Sequence, residues 1–299
     1  MKVVISGVSG LVGTALRANL TAGGHDVLAL SRRASLPPLT TITWDIENGR
    51  FDASLLEGVD VVVHLAGEPV AQRWSEKTKK AIRQSRVRGT KLLVEGLKSL
   101  RQKPKLLLSA SAVGFYGDGE DRELDETSPP GEGFLPEVCQ EWETAALDAM
   151  GLGMRAVCLR TGIVLSTKGG ALRKMLLPFR LGLGGPLSTG RQWMPWIHID
   201  DLVGAMRFIM EKEDLMGVVN GTSPNPVTNR NFTKGLGRVL RRPTLFPIPE
   251  FGLKLLFGEM AQILLEGQKV KPQKLQAAGF TFRHPELEEA LSDILANRK

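Results

Sequence analysis

The sequence predicts an α/β fold in which a doubly wound parallel sheet carries a smaller, mostly helical C-terminal lobe. Apolar runs of strand length alternate with helical stretches, and a glycine-rich turn joins the first strand to the first helix. The length of 299 residues suits one large domain with a smaller lobe. A hydrophobic share of 42% and a formal net charge of +7 are typical of a folding chain rather than a disordered one.

The alternation is regular over the first 165 residues. The predicted strands lie at 3–6, 27–30, 59–65, 106–110 and 156–159. Helical patterns at 13–22, 76–101 and 136–150 are crossovers long enough to connect parallel strands.

The regularity ends after Leu165 in a glycine- and proline-rich segment, 169–195, which is followed by the segment 197–210 and then by a mostly helical tail. We therefore predict a sheet domain over 1–165, to which 196–222 returns. The lobe would comprise 166–195 and 223–299, and its tail from Arg241 onward is expected to close over the carboxyl edge of the sheet.

Composition excludes several classes of protein. Two cysteines cannot form a disulfide scaffold, and no Cys/His cluster has zinc-ligand spacing, so we predict no metal. The N-terminal apolar run is too short for a signal peptide, and no run approaches 18 apolar residues. We therefore expect a cytoplasmic protein without a membrane partner.

Seven cations lie within fifteen residues of the second helical stretch, which raises the question of nucleic acid. They are Lys77, Lys79, Lys80, Arg83, Arg86, Arg88 and Lys91. At 3.6 residues per turn they surround the helix rather than form one stripe, and no aromatic residue interleaves them. The pattern favours a solvated helix with one or two cations facing an anionic ligand, so no nucleic-acid partner is predicted.

The strongest local motif is Gly7-Val-Ser-Gly10-Leu-Val-Gly13, between the first strand and the first helix. Glycines at such a turn let the backbone approach a pyrophosphate, whose charge is held by the helix N-terminus. We predict a Rossmann-type dinucleotide site in which Gly7, Gly10, Leu11, Val12 and Gly13 bind the cofactor.

The second strand ends in Leu30-Ser31-Arg32-Arg33, where an NAD site usually carries an acidic residue. A carboxylate would repel a 2′-phosphate, whereas Ser31 and Arg32 can donate hydrogen bonds to it. We predict NADP as the cofactor; the alternative is that the two arginines only solvate the strand end. Asp45, which follows a further strand between the runs at 27–30 and 59–65, is expected to accept a hydrogen bond from the adenine amino group.

These residues resemble the extended short-chain dehydrogenase/reductases, the group that includes nucleotide-sugar epimerases. The matching positions are the three glycines, Asp45-Ile46, His64-Leu65-Ala66-Gly67, Ser109-Ala-Ser111 and Trp196-Ile-His198-Ile-Asp200-Asp201. More narrowly, Leu177-Pro-Phe-Arg-Leu-Gly-Leu-Gly-Gly-Pro186 and Leu264-Leu-Glu-Gly-Gln-Lys-Val270 are similar to the SDR39U1-type epimerase-family subgroup, whose bacterial members are often labelled cell-division inhibitors. The resemblance runs the length of the chain.

The resemblance implies further cofactor contacts. The backbone of Leu65, Ala66 and Gly67 would pass the adenosine and diphosphate, and Val164, in the segment after the strand at 156–159, would line the nicotinamide side. Arg86 lies near a position where many members of the family carry an asparagine, and an arginine there is expected to reach the cofactor.

The family does its hydride chemistry with a Tyr-x-x-x-Lys pair, and this sequence departs from that pattern. Cys139 and Glu143 align with the two positions. The candidates that replace the missing acid are Tyr116, Ser111 and Cys139. Alternatives stay open: Tyr116 could be an aromatic that shapes the pocket, and Cys139 a small buried residue. For His198 we expect a structural role, with Asp200 or Asp201 capping the next helix.

The sequence thus predicts an NADP-binding oxidoreductase or epimerase-like protein that acts on an unknown small molecule. Cations at Arg180, Arg191, Lys269 and Lys271 favour an anionic substrate. The alternative is a catalytically silent NADP sensor or regulatory binding protein. The oligomeric state is left open.

Overall fold

The structure, a computed structural model, describes residues 1–33 and 36–296. Its strands are β1 (Lys2–Ser6), β2 (Asp26–Ser31), β3 (Thr41–Asp45), β4 (Arg50–Phe51), β5 (Val61–His64), β6 (Leu106–Ala112), β7 (Glu123–Leu124), β8 (Arg155–Thr161), β9 (Ile163–Leu165), β10 (Trp193–Met194), β11 (Trp196–His198), β12 (Gly217–Gly221), β13 (Val227–Thr228) and β14 (Lys269–Val270). The last three residues of the predicted lobe, 297–299, lie outside this description.

The helices are α1 (Leu11–Ala22), α2 (Glu76–Lys98), α3 (Phe134–Leu147), α4 (Gly170–Arg180), α5 (Ile199–Glu211), α6 (Asn229–Leu240), α7 (Glu250–Phe257), α8 (Gln262–Leu265), α9 (Gln273–Ala277) and α10 (Leu287–Ala296). Single turns of 3₁₀ helix occur at Ala53–Leu56, Val113–Tyr116, Asp148–Leu152 and Gly258–Ala261. No helix within the described ranges is long and apolar enough to cross a membrane.

One eight-stranded sheet organises the molecule, with the order β12-β8-β6-β5-β1-β2-β3-β4. All neighbouring strands are parallel except β3 and β4, which are antiparallel at one edge. The chain starts in the middle, runs outward through β2 and β3, and then returns past β1 to build the other half. This reversal confirms the predicted doubly wound sheet, and it places the switch point between β1 and β5.

Helices cover both faces of the sheet, so its strands are apolar on both sides. In β1, Val3 and Ile5 belong to the core under α1 and α5, whereas Val4 belongs to the core under α2 and α3. This double burial explains why the strands occur in the sequence as continuous apolar runs. The seven parallel strands all end at the same edge of the sheet.

The C-terminal region is largely helical and reaches that edge. Trp196, Phe232 and Leu291 are buried in a third core that joins α4, α6 and α10. Met260, just after α7, is buried against Trp74 near the start of α2. The tail therefore contacts the loops at the carboxyl end of the sheet. The domain boundaries themselves stay a prediction. Leu165 and Trp196, which the prediction gives to the sheet domain, are buried in this third core together with residues of the predicted lobe.

Candidate cofactor and substrate site

The glycine loop lies in direct contact with the end of β5. Gly7 has a φ of +71°, and a Cβ there would lie 2.8 Å from the carbonyl carbon of Leu65. A Cβ on Gly13 would lie 2.3 Å from the carbonyl oxygen of Gly7. The loop therefore has no room for side chains at these two positions, and the backbone itself forms the surface that a ligand would meet.

The N-terminus of α1 faces this loop with unpaired donors. Gly10 is the N-cap, has no side chain to cap the helix, and is followed by no acidic residue in the first turn. The first N–H groups, those of Leu11 and Val12 among them, are therefore available to a phosphate, which the helix dipole also favours. Gly169 and Gly170, at the start of α4, approach the Leu11 side chain. The geometry fits the diphosphate of a dinucleotide.

A chain of buried hydrogen bonds holds the end of β5. Ser6 Oγ accepts the N–H groups of Leu65 and Ala66 at 3.0 and 3.2 Å. The Ser6 hydroxyl therefore donates its own hydrogen to Nδ1 of His64, at 2.7 Å. Because Nδ1 accepts this bond, the proton of the neutral imidazole is on Nε2. That nitrogen donates to Thr90 Oγ1 at 3.0 Å, and Thr90 donates to the carbonyl of Arg86 at 2.6 Å.

This chain determines the role of His64. Burial, with a smaller contribution from the charge of Arg86, lowers the pKa of His64 to about 4. The neutral ring therefore bridges β1, β5 and α2 at physiological pH. Its partners are structural, and its packing beside the cofactor stays a prediction.

Arg86 lies against the backbone at Gly67. Its guanidinium carbon is 3.2 Å from the position that a Cβ on Gly67 would take. Nη1 donates to the carbonyls of Glu68 and Ile82 at 2.9 and 3.2 Å, and the group lies 5.2 Å from the ring centroid of Trp142. Burial lowers the pKa of Arg86, but arginine stays protonated. Among the described contacts, Nε and Nη2 have no partner, so they can hold an anion.

The end of β2 is basic and open. Ser31 Oγ accepts the N–H of Arg33 at 3.0 Å, which leaves its hydrogen free to donate. Arg32 is exposed and makes no ion pair with any residue in the described ranges. Asp45 accepts both the N–H and the side-chain amide of Asn48, and these bonds lower its pKa. Its proposed contact with adenine stays a prediction.

Glu143, which aligns with the family's lysine, is one member of a buried ion pair. Glu143 on α3 accepts two parallel bonds from Arg160 on β8, at 2.8 and 2.7 Å. Ser111 Oγ also donates to Glu143, at 2.6 Å. Burial alone would lower the pKa of Arg160, but the hydrogen bonds and charge of Glu143 raise it. The two side chains therefore form a bidentate ion pair to which Ser111 adds a third hydrogen bond.

Sequence reasoning missed Arg160, although a signal was present. An arginine at the end of a strand that is otherwise apolar, Ala156-Val-Cys-Leu-Arg160, needs a buried carboxylate. Glu143, at the position that the family gives to lysine, was the carboxylate available.

Tyr116 belongs to the same network. Its hydroxyl accepts a bond from Arg160 Nη1 at 3.0 Å and lies 2.8 Å from both the carbonyl of Asp125 and Oδ1 of Asn220. Its single proton goes to one of these two acceptors. The residue is 2% exposed, and burial raises the pKa of Tyr116 even though Arg160 opposes that shift. This geometry favours bracing over proton donation.

Cys139 is also buried. Its thiol lies 3.8 Å from the carbonyl of Ala112, and burial, with the charge of Glu143, raises the pKa of Cys139 to about 12. A thiol with that pKa is a poor nucleophile at neutral pH. The catalytic roles of Tyr116, Ser111 and Cys139 stay predictions, and the structure gives each of them a structural partner.

The residues predicted on the nicotinamide side lie where β9 meets β11. Val164 pairs with Ile197 in a short parallel ladder. The next residue, His198, is itself the N-cap of α5, because its Nδ1 accepts the N–H of Asp200 at 3.0 Å. The expectation that Asp200 or Asp201 caps this helix is therefore wrong. Asp201 instead accepts the N–H groups of residues 283 and 284 in the tail.

Four potential metal ligands meet at this point: His198, Asp200, His284 and Asp293, with one ligand atom of each within 4.8 Å of the others. Since Nδ1 of His198 accepts a backbone N–H, its proton is on Nε2, which lies 3.3 Å from Asp293 Oδ2. A protonated nitrogen cannot coordinate a metal. The cluster therefore carries no metal assignment.

Several of the predicted cations are engaged within the protein. Lys269 pairs with Glu123 at 2.9 Å, and Lys271 Nζ donates to the carbonyl of Pro224 at 2.9 Å. On α2, Lys79 pairs with Glu259, Arg83 with Glu137, and Arg88 with the carbonyl of Glu47. Arg191 is exposed, and Arg180 Nη2 is buried without a hydrogen-bond partner in the described structure. Of the four cations predicted to favour an anionic substrate, Arg180 and Arg191 therefore keep donors without a partner among the described contacts, and their role in binding a substrate stays a prediction.

The doubly wound sheet, the glycine loop at its switch point and the uncapped helix N-terminus define a dinucleotide-binding protein of the Rossmann class. Residues 3–220 match the NAD dependent epimerase/dehydratase family, and residues 248–294 match a domain of unknown function, DUF1731. The chain belongs to this epimerase/dehydratase family.

Individual proteins agree with this membership. An epimerase family protein of Mycobacterium tuberculosis, MT2273, is 44% identical over 291 residues, which are 97% of this chain and 96% of that protein. The crystal structure of human SDR39U1 with NADPH has a TM-score of 0.91 at 39% identity and covers 99% of this chain and all of the human one. UDP-glucose 4-epimerase from Thermus thermophilus with NAD has a TM-score of 0.80, covers all of both chains and, at 18% identity, shows the fold alone.

Removing one partner of the buried ion pair tests its importance. We expect Glu143→Ala to lower the free energy of unfolding by about 3–5 kcal/mol, because Arg160 would be left buried and unpaired. The matched control is Glu95→Ala, which removes an exposed pair with Lys98 and should cost under about 1 kcal/mol. Denaturant unfolding measures both values. Equal losses would contradict the assigned burial of the pair.

The depressed pKa of His64 predicts a pH dependence of stability. The neutral ring contributes stability that is complete above its ordinary pKa of 6.5 and is lost as the pH falls toward about 4. In that window His64 adds a slope of about 1.4 kcal/mol per pH unit to the free energy of unfolding. We expect His64→Gln to lose this slope and His25→Gln, a change at the protein surface, to keep it. Parallel pH profiles for all three proteins would refute the assignment.

Proposed function

We propose that this protein binds NADP(H) and acts as an oxidoreductase on a small, anionic molecule. Two features together carry the proposal: the N-terminus of α1 has no side-chain cap, and the end of β2 is basic and has no acidic residue. The first suits the diphosphate and the second suits a 2′-phosphate. The similarity to human SDR39U1, whose structure was determined with NADPH, supports the same cofactor.

Each part of the site has a proposed task. Gly7, Gly10, Leu11, Val12 and Gly13 would hold the diphosphate through backbone N–H groups. Ser31 and Arg32 would hold the 2′-phosphate, and Asp45 would accept a hydrogen bond from the adenine amino group. When bound, the nicotinamide would supply or accept a hydride.

The remaining residues would position the reacting end. The backbone of Leu65, Ala66 and Gly67 would support the middle of the cofactor, and Val164 would line the nicotinamide side. Arg86 would use Nε and Nη2 to hold an anionic group of the cofactor or of the substrate. This assignment supports the expectation of an anionic substrate, because Arg86 lies beside the place where the family's reactive pair would be.

A second candidate function is an NADP sensor that binds the cofactor without turning it over. The buried Glu143–Arg160 pair favours it, because a charged carboxylate replaces the lysine that lowers the tyrosine pKa in the family. Both functions share the cofactor site and differ only in turnover. Two buried free cysteines support a reducing compartment for either function, and we propose the cytoplasm.

Cofactor preference tests the role of Arg32. We expect wild-type protein to bind NADPH at least about tenfold more tightly than NADH, equivalent to 1.4 kcal/mol. Arg32→Ala should remove this preference and leave NADH affinity unchanged, because only the 2′-phosphate contact is lost. Arg101→Ala, a change of an exposed arginine beyond α2, is the matched control. Titration calorimetry measures all affinities, and equal wild-type affinities for the two cofactors would refute the assignment.

Turnover separates the two candidate functions. We expect protein loaded with NADPH to consume it when anionic carbonyl metabolites are added, measured by the loss of the near-ultraviolet absorbance of NADPH. The control contains the same metabolites without protein. Tight binding of NADPH without consumption in any metabolite pool would overturn the oxidoreductase and leave the sensor.

A further inference from the structure

Two short segments of the chain form an exposed apolar surface on the C-terminal lobe. The first includes the end of α4, and the second runs into α7. Eight leucine and phenylalanine side chains on these segments are between 65% and 79% exposed: Leu177, Leu181, Leu183, Leu245, Phe246, Phe251, Leu255 and Leu256. We call this set the apolar surface. Such a concentration of exposed large side chains is unusual for a protein surface that meets only water.

Backbone contacts join the two segments side by side. The N–H of Ile248 donates to the carbonyl of Pro186, and the N–H of Ser188 donates to the carbonyl of Ile248, both at 2.8 Å. Arg242 Nε donates to the carbonyl of Arg180, also at 2.8 Å. The apolar side chains on both segments therefore belong to one contiguous region of the lobe.

Most of the apolar side chains of helix α7 are not covered by the rest of the protein. Of its apolar side chains, only Leu253 is buried, whereas Phe251, Leu255 and Leu256 project from the lobe. A helix of eight residues contributes little stability by itself, so its packing normally depends on covering its apolar face. A partner outside the described chain would supply that cover.

The charge around the apolar surface is mainly positive, and its acidic members, Glu250 and Glu288, are each paired with a cation. No acidic residue lies between Asp148 and Asp200, or between Asp214 and Glu250, and these two stretches contain both segments up to the start of α7. Cations at the surface include Arg173, Lys174, Lys234, Arg241 and Arg242. Lys234, Arg241 and Arg242 line a shallow recess of about 440 Å³ at the end of α6. Within α7, Glu250 pairs with Lys254 at 2.7 Å.

We propose that this face docks on an anionic lipid bilayer, with the apolar surface inserted among the headgroups and the surrounding cations on lipid phosphates. Exposed phenylalanine and leucine side chains beside lysine and arginine have the chemistry of a peripheral membrane surface. The sequence predicts no membrane partner because it contains no single long apolar run, whereas these two apolar segments are short and far apart in the sequence. Only the fold brings them together.

A second copy of the chain fits this face less well. Two copies related by a two-fold axis would bring identical basic rims together, and like charges across an interface are destabilising. A bilayer with anionic lipids offers apolar depth and the opposite charge at once. The charge complementarity therefore selects the lipid surface.

Vesicle sedimentation tests the proposal directly. The probes are vesicles of phosphatidylcholine alone and vesicles in which about a third of the lipid is phosphatidylglycerol. We expect at least about tenfold tighter binding to the anionic vesicles, with affinity that falls as salt rises. No binding to the anionic vesicles at low salt would overturn the proposal.

Paired variants separate the two contributions. Phe251→Ser with Leu255→Ser should weaken binding to anionic vesicles at least about tenfold, because it removes inserted apolar area. Lys234→Gln with Arg241→Gln should weaken it while reducing its salt dependence. The matched control is Leu55→Ser with Met216→Ser, which changes two side chains, each 52% exposed, outside the apolar surface. Equal binding by this control and the Phe251/Leu255 variant would overturn the proposal.

Two further measurements complete the test. The midpoint of thermal unfolding and the NADPH affinity of the Phe251/Leu255 variant should equal those of the wild type, since the altered side chains are exposed and outside the cofactor site. Sedimentation equilibrium without lipid should give the same mass for both proteins. A wild-type dimer that this variant abolishes would assign the face to a second copy and overturn the lipid proposal.

Discussion

The buried ion pair between Glu143 and Arg160 is the interaction on which the rest of the site depends. It joins α3 to β8, and Ser111 adds β6. Tyr116 continues the network to Asn220 on β12, whose amide donates to the carbonyl of Lys271 in the tail. One desolvated pair therefore ties three strands, a helix and the C-terminal region to the same place. Two charges in such a position are costly unless both are satisfied, which constrains every element around them.

This constraint changes the chemistry expected of the family. A tyrosine and a lysine would provide a proton donor and a cation at the reacting end, whereas Glu143 provides an anion that Arg160 neutralises. The groups of this polar network bond to one another and hold α3, β6, β8 and β12 together. Beside this network, Nε and Nη2 of Arg86 have no partner among the described contacts, which is compatible with the proposed binding of an anion. The same geometry explains why an oxidoreductase and a sensor are both compatible with one cofactor site.

Prediction from sequence succeeded for features with short-range causes. The strand runs and the glycine loop each depend on a few neighbouring residues, and the glycine loop and the basic end of β2 both lie at the carboxyl edge of the sheet. It was weaker for features that join distant segments. The cap of α5 was assigned to an aspartate because side-chain propensity favours it, whereas His198 fills the position and Asp201 is used to hold the tail. Cys139 and Tyr116 looked reactive by residue type, but burial and partners decide reactivity.

The sequence by itself determined the α/β class, the parallel strand pairing implied by its crossovers, and the place of the dinucleotide loop, because periodicity and glycine spacing act through local backbone geometry. Tertiary structure alone decided that Arg160 meets Glu143, that His64 bridges Ser6 and Thr90, and that two separate leucine- and phenylalanine-rich segments share one surface. Contacts of this kind join residues that are far apart in the chain; Tyr116 and Asn220, for example, are separated by 104 positions. The physical reason is that burial and desolvation belong to the assembled core, and no local pattern carries them.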